Sequence, residues 1–75
     1  MVRIKISKIV EQKIRRGYPW IFHYQVQNEK VEGKPGDLAV VYDSKNQFLA
    51  IGLYDPESDI RLRVLQTTNP VDIDS

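Results

Sequence analysis

Seventy-five residues, 41% apolar, 9% aromatic and 28% charged, describe one small globular domain over residues 1–75, because a second core needs roughly twice the chain. A chain this short buries only about 60% of the surface its unfolded form exposes, which excludes a large active-site cavity and with it most complete enzymes. The formal net charge of +1 hides a polarisation: residues 1–20 hold six basic side chains against Glu11 alone, a net of +5, and residues 21–75 a net of −4.

In chain order, Val2 to Ile6 alternates strictly, with Val2, Ile4 and Ile6 on one face and Arg3 and Lys5 on the other. That period predicts a half-buried strand and does not fit a signal peptide or a membrane span. Ser7 is a plausible N-cap, and Gly17 with Pro19 supplies a stop, so a helix is predicted over 8–16. At about 100° per residue, Ile9, Val10 and Ile14 fall within an arc of roughly 140°, and Lys8, Gln12, Arg15 and Arg16 gather on the far side. The helix is expected to pack the first set and present the second.

Trp20 to Phe22 reads as a short strand, and Gly33-Lys-Pro-Gly36 as a turn. Asp37 to Tyr42 is a well-buried strand. A polar hairpin connection over 43–47 leads to an answering strand from Phe48 to Tyr54, in which Gly52 marks a bulge or a close backbone approach. After the turn at 55–59, Ile60 to Val64 alternates again, burying Ile60, Leu62 and Val64 and projecting Arg61 and Arg63 together. From Thr67 onward no pattern is strong. The result is a mainly β fold with one short helix, a small and mainly antiparallel barrel of about five short strands that hides its edges by closing.

No catalytic constellation accompanies these elements: there is no phosphate-binding glycine loop, no H-E-x-x-H, no nucleophile elbow and no metal-ligand cluster. The absence of cysteine removes the thiolate nucleophile and the disulfide framework and makes the cytoplasm the default compartment. His23, the one histidine, has no partnered nucleophile and reads as a surface or half-buried strand residue. Asp37, Asp43, Asp55 and Asp59 sit at turns, where side-chain bonds to backbone account for them. Lys30, Lys34 and Lys45 lie in turns and serve solubility.

Arg15-Arg-Gly-Tyr-Pro-Trp20 differs in kind, with two guanidinium forks, an open glycine backbone and two rings at one helix-to-strand junction. Arginines pair with phosphates, glycine admits a nucleotide, and an exposed ring stacks on a splayed base for about 1–3 kcal/mol, so the mixture suits RNA. The plainer reading makes Gly17 a helix C-cap, Trp20 a core anchor leading into a buried strand, and the basic helix face a solvated one. Arg61 and Arg63 either extend a phosphate track or answer the acidic turn of Asp55, Glu57 and Asp59.

Arg15-Arg-Gly-Tyr-Pro-Trp-Ile-Phe22, Val31-Glu-Gly-Lys-Pro-Gly-Asp-Leu38 and Gly52-Leu-Tyr-Asp-Pro-Glu-Ser-Asp-Ile-Arg-Leu-Arg-Val64 together resemble, in order and spacing, the N-terminal PUA domain of class I S-adenosylmethionine-dependent large-subunit rRNA cytosine-C5 methyltransferases. The resemblance runs from Val2 to about Ile73. It implies a PUA-like pseudo-barrel that binds structured rRNA through the helix-to-strand loop and positions it for a methyltransferase domain lying C-terminal in cis. S-adenosylmethionine and the catalytic cysteines would belong to that second domain, so the isolated chain is expected to be non-catalytic and free of cofactor. The family's RNA-contacting loop maps onto Arg15, Arg16, Gly17, Tyr18 and Trp20. The family often has histidine where Tyr18 stands, so stacking transfers and an imidazole role does not. On this reading Lys8, Arg15 and Arg16 engage phosphates, Gly17 lets the backbone close on the strand, Tyr18 stacks, and Arg61 and Arg63 extend the track. The competing reading is a protein-interaction or dimerisation barrel in which Arg61, Arg63 and an exposed sheet face meet a partner domain, without direct RNA contact.

Overall fold

The computed structural model describes residues 1–28 and 30–67. Strands β1 (Val2–Lys5), β2 (Trp20–Phe22), β3 (Asp37–Tyr42), β4 (Phe48–Tyr54) and β5 (Ile60–Thr67) and helix α1 (Lys8–Arg15) follow the expected order, with a 3-10 turn over His23–Gln25 after β2. β5 runs three residues past the expected Val64. The patternless tail lies, beyond Thr67, outside the described residues.

The five strands form one curled sheet in the order β1-β3-β4-β5-β2, a half-barrel in which β1 runs parallel to β3 and the other pairings are antiparallel. β1 and β2 are therefore the two edges, and α1, which joins them in sequence, spans from one to the other. The segment after the 3-10 turn covers the β1 edge: the Gln27 N–H donates to the Lys5 carbonyl at 2.8 Å. The Asn28 amide takes the Lys5 N–H at 3.0 Å and donates to the Arg3 carbonyl at 2.8 Å. Those backbone groups would otherwise stand as an open edge.

The alternation of β1 buries Val2, Ile4 and Ile6 as expected, and they meet Val10 and Ile14 of α1, Ile21, Ala39, Val41, Leu49, Ala50, Tyr54 and Leu62 in one core. Ile9 departs from expectation at 69% exposed. A single helix against one curved sheet needs only the narrow stripe of Val10 and Ile14, and Ile9 lies about 100° from Val10, beyond it.

Ser7 caps α1 as expected, its Oγ accepting from the Val10 N–H at 3.3 Å. Ser7→Ala is expected to lower stability by about 1 kcal/mol, read as a thermal midpoint roughly 4–8 °C lower. The helix ends on Gly17 at φ +102°, with the Gly17 N–H on the Ile14 carbonyl at 3.0 Å and the Tyr18 N–H on the Lys13 carbonyl at 3.1 Å. Only glycine adopts that turn without strain, and it swings the chain off the helix axis toward β2. Gly52 is a close approach, also as expected: a Cβ there would run into the Arg63 carbonyl oxygen, and the β4–β5 register shifts beside it.

Candidate nucleic-acid interface

The corner between α1 and β2 is held to the sheet by the Val64 N–H, which donates to the Pro19 carbonyl at 2.6 Å. Lys13, Arg16, Gly17, Tyr18 and Pro19 enclose a shallow hollow of about 580 Å³. The Tyr18 ring meets the Trp20 ring edge-on, centroids 6.0 Å apart. Trp20 is 39% exposed and is not a core anchor, because the inward position of this short strand belongs to Ile21. Tyr18, at 40%, is equally open.

The corner's cations differ from the sequence expectation. Arg15 is engaged within the fold: its Nε donates to Glu11 Oε2 at 3.1 Å, and its Nη2 lies 3.9 Å from Asp43 Oδ2. Asp43 is buried, and its Oδ1 accepts the Lys45 and Gln47 N–H groups, both at 2.9 Å, which is the turn role expected of it. Arg15 thus ties α1 to the β3–β4 hairpin. The exposed side chains beside Tyr18 are Arg16 and Lys13, neither with an ion pair among the described residues. Lys13 is a corner residue that the sequence motif does not single out, although its i, i+3 spacing from Arg16 signals a shared face. Exposed Ile9 lies on the same arc. Lys8 is exposed at the other end of α1, roughly 12 Å along the axis from Arg16, and is not brought to the corner.

Arg61 and Arg63 do not project together. Arg63 is paired in register with Trp20 on one side and Leu53 on the other, which places it on the outer face beside the corner. Leu62 pairs with Ile21 and Ile60 with Phe22, so Arg61 occupies a bulge. It lines a separate cleft with His23 and Tyr54. A bulge breaks the period of two on which the expectation rested. His23 is exposed at the start of the 3-10 turn and not within a strand, its N–H on the Asp59 carbonyl at 2.9 Å and its ring edge-on to Tyr24. A wider hollow of about 1000 Å³ near Met1, Lys30 and Leu38 mixes Arg3 and Lys30 with Glu32 and Asp37 and gathers no ring. Mixed charge without a stacking surface makes it a poorer RNA site than the corner. No helix among the described residues is long and apolar enough to cross a membrane.

Residues 4–67 match the family described as PUA-like domain. The chain belongs to the PUA-like domain family. Its fold matches a solved structure, that of a conserved PUA domain protein from Thermoplasma acidophilum, with a TM-score of 0.74 over 92% of this chain and 51% of that one at 17% identity. The expected PUA-like pseudo-barrel is therefore borne out, as a curled half-barrel; the expected closure is not, since β1 and β2 remain unpaired edges and the β1 edge is covered by Gln27 and Asn28 instead. A ribosomal RNA large subunit methyltransferase of Deinococcus radiodurans is 52% identical over 73 residues, 97% of this chain and 18% of that protein. A ribosomal RNA large subunit methyltransferase I of Photobacterium profundum is 44% identical over 64 residues, 81% of this chain and 16% of that protein. The PUA-like domain thus spans less than a fifth of these relatives' length.

Proposed function

We propose that this PUA-like domain binds structured rRNA at the α1–β2 corner and positions it for a methyltransferase domain joined in cis, of the S-adenosylmethionine-dependent cytosine-C5 class. The observation that carries the reading is the corner itself: Lys13 and Arg16, without ion pairs, beside the exposed rings of Tyr18 and Trp20. Phosphate oxygens engage the two cations, Arg63 continues the track beside Trp20, and Lys8 extends it along the helix. A splayed base stacks on Tyr18, whose ring stands exposed where Gly17, at φ +102°, turns the chain off the helix. Arg15 contributes by fixing the helix. S-adenosylmethionine would be held by the methyltransferase domain, and an rRNA substrate fits a cytoplasmic protein.

Lys8, Lys13, Arg16 and Arg63 neutralise about four phosphates, so log affinity is expected to fall against log salt with a slope near −3 for single-stranded RNA, and nearer −4 for duplex if the DNA coefficient carries over. Fluorescence anisotropy with an rRNA-derived stem-loop at rising potassium chloride checks this. A salt-independent isotherm would sink the electrostatic reading.

A second reading has its own observation. Leu38, Leu53, Arg63 and Trp20 form one cross-strand row on the outer face over β3, β4, β5 and β2, and all are exposed. Exposed apolar rows of this kind mark docking surfaces. If this face docks a neighbouring domain, Leu38→Gln with Leu53→Gln, which adds no charge beside Arg63, weakens that association and leaves stem-loop binding unchanged.

A further inference from the structure

At the opposite end of β2 from the corner, the bulge in the β2–β5 ladder directs Arg61 into a cleft of about 380 Å³. Val26, Val31 and buried Tyr54, all packed with the core, line it beside polar groups. Arg61 Nε is buried there without a hydrogen-bond partner, and no carboxylate among the described residues pairs with the guanidinium. Buried polar groups are paired with few exceptions, and since Nε is sealed from the cleft, the part of the guanidinium that a partner arriving from outside can meet is its Nη end. The Asn28 amide is already engaged with the backbone of β1. The groups left to meet a ligand are the Arg61 fork, the Tyr54 hydroxyl and the side chains of Gln27 and His23.

The charge on the rim selects the kind of acceptor. The β4–β5 turn with Asp55, Glu57 and Asp59 adjoins the cleft through backbone bonds: the Asp55 N–H donates to the Arg61 carbonyl at 2.8 Å, and the Asp59 carbonyl accepts from the His23 N–H at 2.9 Å. Asp55, bonded through its backbone to Arg61, brings negative charge to this end of the sheet and disfavours a phosphate, whereas the neutral edge of a base meets the planar N–H fork without that repulsion. Two adjacent acceptors matched to the fork are O6 and N7 of guanine.

We infer that the cleft takes a guanine base splayed from a bound RNA strand, with Arg61 reading its O6/N7 edge beside Val26, Val31 and Tyr54. The inference rests on the RNA-binding reading of the corner and adds a base-reading site to it. Trp20 and His23 are separated by about 10 Å at the rise of a strand, a distance that one RNA strand spans. Phosphate contacts position the strand at the corner, and the cleft supplies the sequence preference that such contacts lack.

The test is a nitrogen-15 NMR titration of the domain, following backbone amides and arginine Nε–H signals, with millimolar GMP, AMP, CMP or inorganic phosphate at two salt concentrations. GMP alone is expected to shift His23, Val26, Gln27 and the Arg61 Nε–H, with little dependence on salt. Arg61→Lys keeps the charge and loses the fork, and is expected to weaken the GMP response roughly 5- to 150-fold. The unaltered protein carries the result even if the variant is poorly folded. Equal shifts with inorganic phosphate would make the cleft an anion site, equal shifts with all three nucleotides an unselective one, and no shift in the cleft a plain surface feature. Each of these overturns the proposal. Failure of the corner reading shows separately, as a stem-loop that leaves Lys13 to Trp20 unperturbed at low salt.

Discussion

Replacing Lys13 and Arg16 together by glutamate is expected to reduce stem-loop affinity at least 100-fold. Each hydrogen bond to a charged group contributes about 1.5–3 kcal/mol, so removing both phosphate-binding cations costs about 3 kcal/mol or more before the repulsion of the new carboxylates is added. The salt slope should become shallower by about 2, one for each phosphate no longer neutralised. Both side chains are exposed, so the fold should survive, and amide spectra should change only around the corner. Arg15→Gln is the discriminating control. Arg15 already has Glu11 at 3.1 Å and the buried Asp43 at 3.9 Å, so its removal costs some stability and leaves the slope almost unchanged. An Arg15→Gln variant that lost as much affinity as the double reversal would move the site to the opposite face of the helix end, toward the β3–β4 hairpin.

The contrast between Arg15 and Arg16 shows where sequence reading stops. Local patterns carried the elements: β3 and β4 appear with their expected bounds, Ser7 and Gly17 terminate α1 as their chemistry requires, and the period of two in β1 names three core residues. Each of those follows from torsion angles or from neighbours within a few positions. Much of what failed depended on partners distant in sequence. Arg15 and Arg16 are adjacent and chemically identical; the nearer partner of Arg15, Glu11 four residues back on the helix, is readable from spacing, whereas the contact with Asp43 across the fold is not. Ile9 reads as core because an arc of roughly 140° fits a helix between two layers, and here one sheet covers only part of it. Arg61 and Arg63 are expected on one face because a strand alternates, and the bulge opposite Ile21 and Phe22 cancels that rule for one residue. The parallel pairing of β1 with β3, and the use of Gln27 and Asn28 to cover the β1 edge, have no local signature either.

Gly52→Ala is expected to destabilise the domain by about 3 kcal/mol or more, at or beyond the upper end for overpacking, because the obstruction is main chain. The added methyl would meet the Arg63 carbonyl oxygen and approach Leu62 Cδ2 to 2.7 Å. A flexible side-chain end could swing aside, but the Arg63 carbonyl belongs to the ladder that pairs β5 with β4. A 75-residue domain has a total stability of roughly 4–11 kcal/mol, so the loss is a large fraction of it, and chemical denaturation should show a much lower midpoint. Gly17→Ala provides the comparison: nothing lies within 4 Å of its Cβ, and only the φ of +102° resists. Its expected cost is nearer 1 kcal/mol, consistent with strain at a single backbone position, and confined to the corner. The two glycines separate stability from binding. Widening the β4–β5 gap at Gly52 displaces Arg63 beside Trp20 and, two residues along β5, Arg61 in its bulge, so folded Gly52→Ala protein should lose both the corner and the cleft responses. Gly17→Ala should lose only the corner. A Gly52→Ala protein that kept wild-type stability and both responses would show that β4 and β5 can part without moving either arginine, and the two sites would then not share the β2–β5 ladder as their common support.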